Sequence, residues 1–131
     1  MKKELYPMRG IVTTVISPFV GAEKALDLDS LRNEIEMACN AGVAGFLVPC
    51  LASEQWLLST EEKKKLVSTT AEAARGRAKL ITSITAPTTE ERVRLMHEFQ
   101  DLGIDGFNMQ VPFSSEQEFM DANEGVDNDH P

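Results

Sequence analysis

Cysteine is scarce in this chain, and its scarcity argues against a scaffold held together by disulfides. Only Cys39 and Cys50 occur among the 131 residues, the first in a predicted helix and the second at the end of a predicted strand. A chain of this length builds a hydrophobic core without covalent cross-links, so nothing requires the two thiols to pair. We therefore expect reduced thiols and a cytoplasmic protein.

Long apolar runs and basic clusters are also absent from the sequence. No stretch approaches the roughly 20 apolar residues of a membrane span. The apolar run over 11–20 is interrupted by Thr13, Thr14, Ser17 and Pro18, which argues against a signal peptide. The net charge is −8, and no basic patch of the kind that binds nucleic acid is present. We expect neither a membrane nor a nucleic-acid partner.

Histidine is equally rare, and the residues that mark cofactor sites are not clustered. His97 and His130 are isolated from one another and from other ligand-spaced residues, a pattern that does not form a metal site. The residues after the first predicted strand, Ser17 to Gly21, are not a glycine-rich phosphate loop. We expect no metal and no cofactor.

The chain does contain a repeated pattern of a strand followed by a helix. Runs of β-branched and apolar residues predict strands at 11–16, 44–49, 80–84 and 106–111. The order β-α-β-α-β-α-β makes the four strands parallel, with helical crossovers. The predicted fold class is α/β, although open doubly wound sheets and barrels share this pattern.

Capping residues predict where the three helices begin. Asp27 or Asp29 caps a first helix that runs to about residue 41, and Ser59 with Glu62 forms a capping box for the second. Thr88 repeats the capping box with Glu91 in the third helix, which Gly103 ends.

Acidic residues accumulate at the C-terminal end of the chain. From residue 114 onward there are six carboxylates and no Lys or Arg: Glu116, Glu118, Asp121, Glu124, Asp127 and Asp129. We predict a domain over residues 1–120, with a fourth helix beginning at Ser115, and a disordered acidic tail over residues 121–131.

An ordered set of short segments carries a family resemblance. These segments are Ser17-Pro18-Phe19, Leu26 to Leu31, Gly42 to Val48, Leu58 to Glu62, Gly103 to Phe107, and Val111-Pro112-Phe113. Together they resemble the dihydrodipicolinate synthase / N-acetylneuraminate lyase family of pyruvate-dependent class I aldolases. The resemblance covers residues 9 to about 113 and implies the first half of a TIM (β/α)₈ barrel, whose active sites lie at the carboxyl ends of the strands.

The resemblance implies a small keto-acid substrate. In that family a lysine forms a Schiff base with the keto acid, and the imine serves as an electron sink. A loop after the second strand, usually Gly-Thr-Thr-Gly-Glu, binds the carboxylate. This loop aligns with Cys50 to Glu54, so the resemblance predicts Leu51, Ala52, Ser53 and Glu54 as substrate-binding residues. Because Leu51 and Ala52 carry no hydroxyl, the main-chain N–H groups and the Ser53 hydroxyl are the candidate donors.

The family's catalytic side chains have no counterparts in this sequence. The family's Pro-Tyr-Tyr aligns with Pro112-Phe113-Ser114, and the Schiff-base lysine belongs to a sixth strand that the sequence does not reach. Lys79 opens the third strand, at the end remote from a barrel's active face. We assign no catalytic residue and expect a truncated family member that is inactive alone. The alternative is a non-catalytic interaction module that self-associates through open strand edges.

Three loop residues have two interpretations each. Glu54 either orients the loop by accepting main-chain N–H groups or is an ordinary exposed acid. Cys50 is expected to be packed, since no thiolate-stabilising neighbour is close in sequence. Trp56 either covers the mouth of the site or fills a gap against the second helix, and we favour the second interpretation.

Overall fold

The computed structural model describes residues 8–110, so the predictions for the fourth helix and the acidic tail lie outside the described range. Within it the elements follow the order β1 (Val12–Thr14), β2 (Phe19–Val20), β3 (Ala25–Leu26), α1 (Leu28–Asn40), β4 (Gly45–Leu47), α2 (Thr60–Ala74), β5 (Lys79–Ser83), α3 (Thr89–Phe99) and β6 (Gly106–Asn108). The fourth parallel strand, predicted over 106–111, ends at Asn108.

Four of the strands form one parallel sheet. The spatial order is β1-β4-β5-β6, and each neighbouring pair is parallel, with Thr13 opposite Phe46, Phe46 opposite Leu80 and Thr82 opposite Phe107. Helices α1, α2 and α3 provide the crossovers. The predicted α/β fold with four parallel strands and crossover helices is confirmed. Among the described residues, nothing pairs with the outer edge of β1 or of β6.

The first strand is shorter than the predicted 11–16, for an identifiable reason. The Val15 N–H still donates to the Leu47 carbonyl at 3.1 Å, but the Ile16 N–H donates to Oε1 of Glu34 on α1 at 3.0 Å. The chain therefore leaves the sheet at Ile16 and turns towards the helices.

A small antiparallel hairpin, β2 and β3, was not predicted. Phe19 pairs with Leu26 and Val20 with Ala25, and the turn between them contains Lys24 at a φ of 52°. Two-residue strands are too short to show a period, so the sequence carries no signal for this hairpin. Phe19 and Leu26 pack against the main core, so the hairpin covers one end of the β/α layer.

The core lies between one face of the sheet and the helices. Alternate strand residues (Val15, Phe46, Val48 and Leu80) and inward helix residues (Leu31, Ile35, Leu66, Val67 and Ala74) are buried together. A second cluster joins the end of β5 to α3 through Ile84, Ala86, Leu95 and Phe99. Burial of each large apolar side chain contributes roughly 1.5–3 kcal/mol.

The predicted helix starts are confirmed. Asp27 accepts the Ser30 N–H at 3.2 Å, and Ser59 and Glu62 form a reciprocal capping box with distances of 3.1 and 3.3 Å. Thr88 accepts the Glu91 N–H at 3.2 Å, but the structure shows no return bond from the Glu91 side chain. Each cap satisfies main-chain donors that a helix leaves unpaired.

The surfaces of α2 and α3 also carry contacts and apolar side chains. The Nζ of Lys64 lies 2.5 Å from Oε2 of Glu98 and so connects α2 to α3. Val93 and Met96 on α3 are exposed. The sheet covers α3 along only the line of Leu95 and Phe99, so the remaining apolar positions face outward. None of the described helices is long and apolar enough to cross a membrane.

Candidate functional site

A cavity of about 460 Å³ lies at the carboxyl ends of the four parallel strands. The last residue of each strand lines it: Thr14 of β1, Leu47 of β4, Ser83 of β5 and Asn108 of β6. The other lining residues are Cys50, Leu51, Ala52, Gln55, Thr85 and Gln110. The cavity is therefore built by the sheet and by the loop that follows β4. In a parallel β/α sheet this is the edge where ligands bind.

The loop after β4 consists of two short 3₁₀ turns, Leu51–Ser53 and Gln55–Leu57. In the first turn, the Ser53 N–H donates to the Cys50 carbonyl and the Glu54 N–H donates to the Leu51 carbonyl. The N–H groups of Leu51 and Ala52 begin the turn and have no hydrogen-bond partner among residues 8–110. The sequence-predicted residues Leu51 and Ala52 thus lie at the cavity with donors available, while their side chains contribute only apolar surface.

Ser53, also predicted as a site residue, fixes the shape of this loop. Its side chain is 0% exposed; its hydroxyl donates to the Val15 carbonyl and accepts the Cys50 N–H at 3.2 Å. The Ser17 hydroxyl donates to the Ser53 carbonyl at 2.6 Å. The Ser53 hydroxyl is therefore already used inside the protein, and it connects the loop to the end of β1.

The expectations for three other residues of the loop have different outcomes in the structure. Glu54 occupies the left-handed region at φ 55° between the two turns, and its exposed carboxylate accepts no hydrogen bond from the described part of the chain. The structure therefore gives the loop-orienting role to Ser53. Cys50 is buried, as expected. Trp56 is 56% exposed, so the expectation that it fills a gap against the second helix was wrong.

A second polar group on the cavity wall was not predicted. The hydroxyls of Ser83 and Thr85 lie 2.9 Å apart, and Thr85 Oγ1 accepts the Gln110 N–H at 3.1 Å. These bonds join the end of β5 to the segment after β6. Strand alternation places Ser83 and Thr85 on one face, which was the available signal.

Among the described residues that line the cavity, none has an amine or a carboxylate in its side chain. Lys63, Lys64 and Lys65 are on α2, Lys24 is in the β2–β3 turn, and Lys79 begins β5 at the opposite end of the sheet. Among the described residues, no three His, Cys, Asp or Glu side chains form a metal-binding group. The cavity thus offers hydrogen-bond donors and hydroxyls, but no nucleophilic nitrogen within residues 8–110.

Comparison with known proteins places this geometry in a family. The model of the dihydrodipicolinate synthetase family matches residues 7–124. The 4-hydroxy-tetrahydrodipicolinate synthase of Magnetococcus marinus is 33% identical over 106 residues, covering 80% of this chain and 35% of the relative. The N-acetylneuraminate lyase of Escherichia fergusonii is 28% identical, covering 81% of this chain and 35% of the relative. The chain therefore spans about a third of the length of these curated relatives.

Solved structures give the same result. The 4-hydroxy-tetrahydrodipicolinate synthase of Methylacidiphilum fumariolicum SolV superposes with a TM-score of 0.75 at 29% identity, covering 79% of this chain and 34% of that one. The dihydrodipicolinate synthase of Aquifex aeolicus superposes with a TM-score of 0.74 at 29% identity, covering 90% of this chain and 42% of that one. The four parallel strands and their crossover helices correspond to the N-terminal part of a TIM barrel, and the chain belongs to the dihydrodipicolinate synthetase family.

Proposed function

We propose that this chain provides the carboxylate-binding part of a keto-acid lyase or aldolase site and does not itself supply the Schiff-base amine. The observation that carries the proposal is the pair of unpartnered N–H groups at Leu51 and Ala52, beside the cavity at the strand ends. Family membership supports a keto acid as the ligand, because the same loop position binds the keto-acid carboxylate in the family that the sequence resembles.

The physical basis is the strength of hydrogen bonds to a charged acceptor. A main-chain N–H that bonds to a carboxylate contributes about 1.5–3 kcal/mol, and two adjacent donors hold its two oxygens in a fixed orientation. Ser53 and Ser17 hold the turn in place from beneath. The donors are therefore oriented before the ligand arrives, which reduces the entropy cost of binding.

The amine has to come from elsewhere in a complete site. A Schiff base forms when a lysine nitrogen attacks the keto carbon and water leaves, and the nitrogen must reach that carbon. None of the described lysines lines the cavity. We therefore propose binding by this chain without covalent chemistry, with Leu51 and Ala52 donating their N–H groups to the carboxylate. Ser53 and Glu54 act through loop shape, Ser53 by its buried hydroxyl and Glu54 by its left-handed backbone between the two turns.

A proline substitution tests the N–H donors directly. Leu51 is the first residue of its turn and follows Cys50, which is extended at φ −152° and ψ −171°, so proline fits there without strain. L51P removes one N–H donor, whereas the control L51A removes the same exposed side chain and keeps the donor. We expect L51P to weaken pyruvate binding about tenfold or more. L51A should bind pyruvate with an affinity close to that of the unsubstituted chain.

Hydrogen–deuterium exchange of the 50–58 loop, measured with increasing pyruvate, gives the affinity. Acetone, which has the ketone and no carboxylate, should leave the exchange unchanged. Equal pyruvate protection in L51P and L51A would contradict the proposed donor role.

A second candidate function, self-association through the sheet edges, also has an observation in its favour. The outer edges of β1 and β6 are unpaired among the described residues, and Val12 on β1 is 43% exposed. Unpaired edges recruit other strands. We expect sedimentation velocity at low micromolar concentration to show oligomers, and a cooperatively melting monomer would exclude this candidate.

A further inference from the structure

Gln55 carries a buried side-chain amide that has no hydrogen-bond partner within residues 8–110. The residue begins the second 3₁₀ turn of the loop after β4, is 4% exposed and lines the cavity at the strand ends. Its main-chain N–H donates to the Cys50 carbonyl at 3.4 Å, but no bond from the described chain reaches its side chain. Because buried polar groups are normally hydrogen-bonded, this amide is a candidate contact for a ligand.

The Gln55 amide opens into the cavity. Among the described residues, the fully enclosed side-chain polar atoms that lack a partner are Nζ of Lys79 and Oγ1 of Thr82. The Gln55 amide also lacks a partner there but is not enclosed, so its polar atoms reach the open space that Gln55 lines. A primary amide has N–H donors and a carbonyl acceptor. The cavity wall therefore contains a neutral group that can both donate and accept a hydrogen bond.

The hydroxyls of Ser83 and Thr85 offer the same two functions elsewhere on the cavity wall. Each hydroxyl has one O–H donor and two acceptor lone pairs. Their mutual bond, at 2.9 Å, uses one donor and one lone pair, and the N–H groups of Gln110 and Thr85 each use a further lone pair. Whichever hydroxyl donates in the mutual bond, one O–H donor and one lone pair stay unused within the described chain.

This combination suits a hydroxyl group on a ligand better than an ionised group. A hydroxyl both donates and accepts, whereas a carboxylate only accepts and an ammonium only donates. Among the described residues that line the cavity, no side chain is charged, and removing an unpaired charge from water is costly. A second charged group on a keto acid would therefore lose its hydration without gaining an ionic partner on this wall.

We propose that Gln55, Ser83 and Thr85 form a subsite for hydroxyl groups on the carbon chain of the ligand, beyond its keto-acid end. The inference rests on the proposed function, because it takes the N–H groups of Leu51 and Ala52 as the site of the carboxylate. It adds the substrate class, which is a 2-keto acid extended by neutral, hydroxylated carbons. Gln55 is then a specificity-determining residue.

Three six-carbon keto acids of matched length test the subsite. The first, 4,5,6-trihydroxy-2-oxohexanoate, carries the hydroxyls; 2-oxohexanoate lacks them, and 2-oxoadipate carries a second carboxylate. Hydrogen–deuterium exchange of the 50–58 loop gives their affinities, as it does for pyruvate. We expect the trihydroxy acid to bind about tenfold or more tightly than 2-oxohexanoate, because the analogue without hydroxyls leaves polar groups of the site unpaired. The affinity for 2-oxoadipate should not exceed that for 2-oxohexanoate.

Substitution of Gln55 by leucine tests the amide. Q55L removes the amide at similar volume and breaks no side-chain hydrogen bond within the described chain, so the variant is expected to fold. It should lower the preference for the trihydroxy acid over 2-oxohexanoate about tenfold. Q100L makes the same substitution at an exposed glutamine that follows α3, and this control should leave the preference unchanged.

A pair of variants at Thr85 gives a second, independent test. T85V removes the hydroxyl at nearly equal volume and should lower the preference, whereas T85S keeps the hydroxyl and should retain it. Equal affinities for the trihydroxy acid and 2-oxohexanoate, or an unchanged preference in both Q55L and T85V, would overturn the subsite even where pyruvate protects the loop. Loss of protection by every keto acid, pyruvate included, would instead overturn the proposed function and the subsite with it.

Discussion

At the scale of single residues, Ser53 determines how the loop presents its donors. One buried hydroxyl bonds to the Val15 carbonyl and to the Cys50 N–H, and the Ser53 carbonyl accepts the Ser17 hydroxyl. These three bonds connect the end of β1 to the 3₁₀ turn that carries the N–H groups of Leu51 and Ala52. The residue that the resemblance marked as a ligand-binding hydroxyl therefore acts through the shape of the loop.

Substitution of Ser53 by alanine is expected to destabilise the fold. S53A leaves a buried carbonyl at Val15 and a buried N–H at Cys50 without partners, which costs about 2 kcal/mol or more. S68A is the control: Ser68 on α2 makes one exposed 3.3 Å bond to the Lys65 carbonyl, and its loss is expected to cost less than about 0.5 kcal/mol. Urea denaturation measures both, and equal losses would contradict the role assigned to Ser53.

The sequence indicates where the candidate site lies better than it indicates which side chains form it. Of the residues aligned with the family loop, Cys50, Leu51 and Ala52 line the cavity, because a strand end followed by a capped helix fixes where that loop must lie. That they bind a substrate stays a prediction. The sequence did not reveal that Glu54 is exposed or that Ser83 and Thr85 join the wall. Alternation along β5 indicates that Ser83 and Thr85 share a face, but their bonds to each other and to the Gln110 N–H are contacts between distant segments that leave no local pattern. The exposure of Glu54 follows from its left-handed position between the two turns, which the sequence does not mark.

At the scale of elements, two neighbouring glutamates on α1 hold the helix against different parts of the chain. Glu34 Oε1 accepts the Ile16 N–H at the end of β1. Glu36 accepts both terminal nitrogens of Arg77, just after α2, at 3.1 and 2.6 Å. Burial raises the pKa of Glu34 above its ordinary value, whereas the hydrogen bond from Arg77 lowers the pKa of Glu36.

Because the pKa values of Glu34 and Glu36 are shifted in opposite directions, neutralising the two carboxylates is expected to change the stability of the fold in opposite directions. The lowered pKa of Glu36 means that its stabilising contribution is present above the ordinary carboxyl pKa of about 4.3 and is lost as the pH falls through the folded pKa. The raised pKa of Glu34 means that ionisation costs stability, an effect that is absent below the ordinary pKa and grows as the pH rises through the folded one.

Near neutral pH, E36Q should therefore lower the melting temperature. E34Q, which keeps an oxygen acceptor for Ile16, should raise it slightly. Thermal melts from pH 3 to pH 8 test this, and both differences should shrink at the acid end. If E36Q and E34Q changed the melting temperature in the same direction at neutral pH, this account would be contradicted.

Helix starts were predictable to within a residue, and strand ends were not. The end of α3 was also misplaced, since the helix ends at Phe99 and not at Gly103. Asp27, Ser59 and Thr88 mark helix starts because each cap is a local bond between residues three apart. The end of β1 depends on Glu34, eighteen residues from Ile16 in sequence. The β2–β3 hairpin contains two residues per strand, which is too few to give a periodic signal.

At the scale of the whole molecule, the described chain is one β/α layer with several uncovered surfaces. Met37 on α1 is 73% exposed, and Val93 and Met96 are exposed on α3, at the other end of the layer. The Lys79 amine, at the start of β5, has no hydrogen-bond partner within residues 8–110. In a closed barrel such surfaces are covered by neighbouring helices and strands. Among residues 8–110, the cavity at the strand ends is lined by the ends of the four parallel strands, the loop after β4 and the segments after β5 and β6.

The central claim is that the chain binds a keto acid and contributes no Schiff-base amine. Incubation with pyruvate and borohydride, followed by intact-mass measurement, tests it most directly, because borohydride reduces an imine to a stable secondary amine. A lysine-containing protein that forms a Schiff base with pyruvate serves as the positive control. The account predicts an unchanged mass for this chain under conditions in which pyruvate protects the 50–58 loop from exchange. A stoichiometric reduced adduct on any lysine of the chain would contradict it.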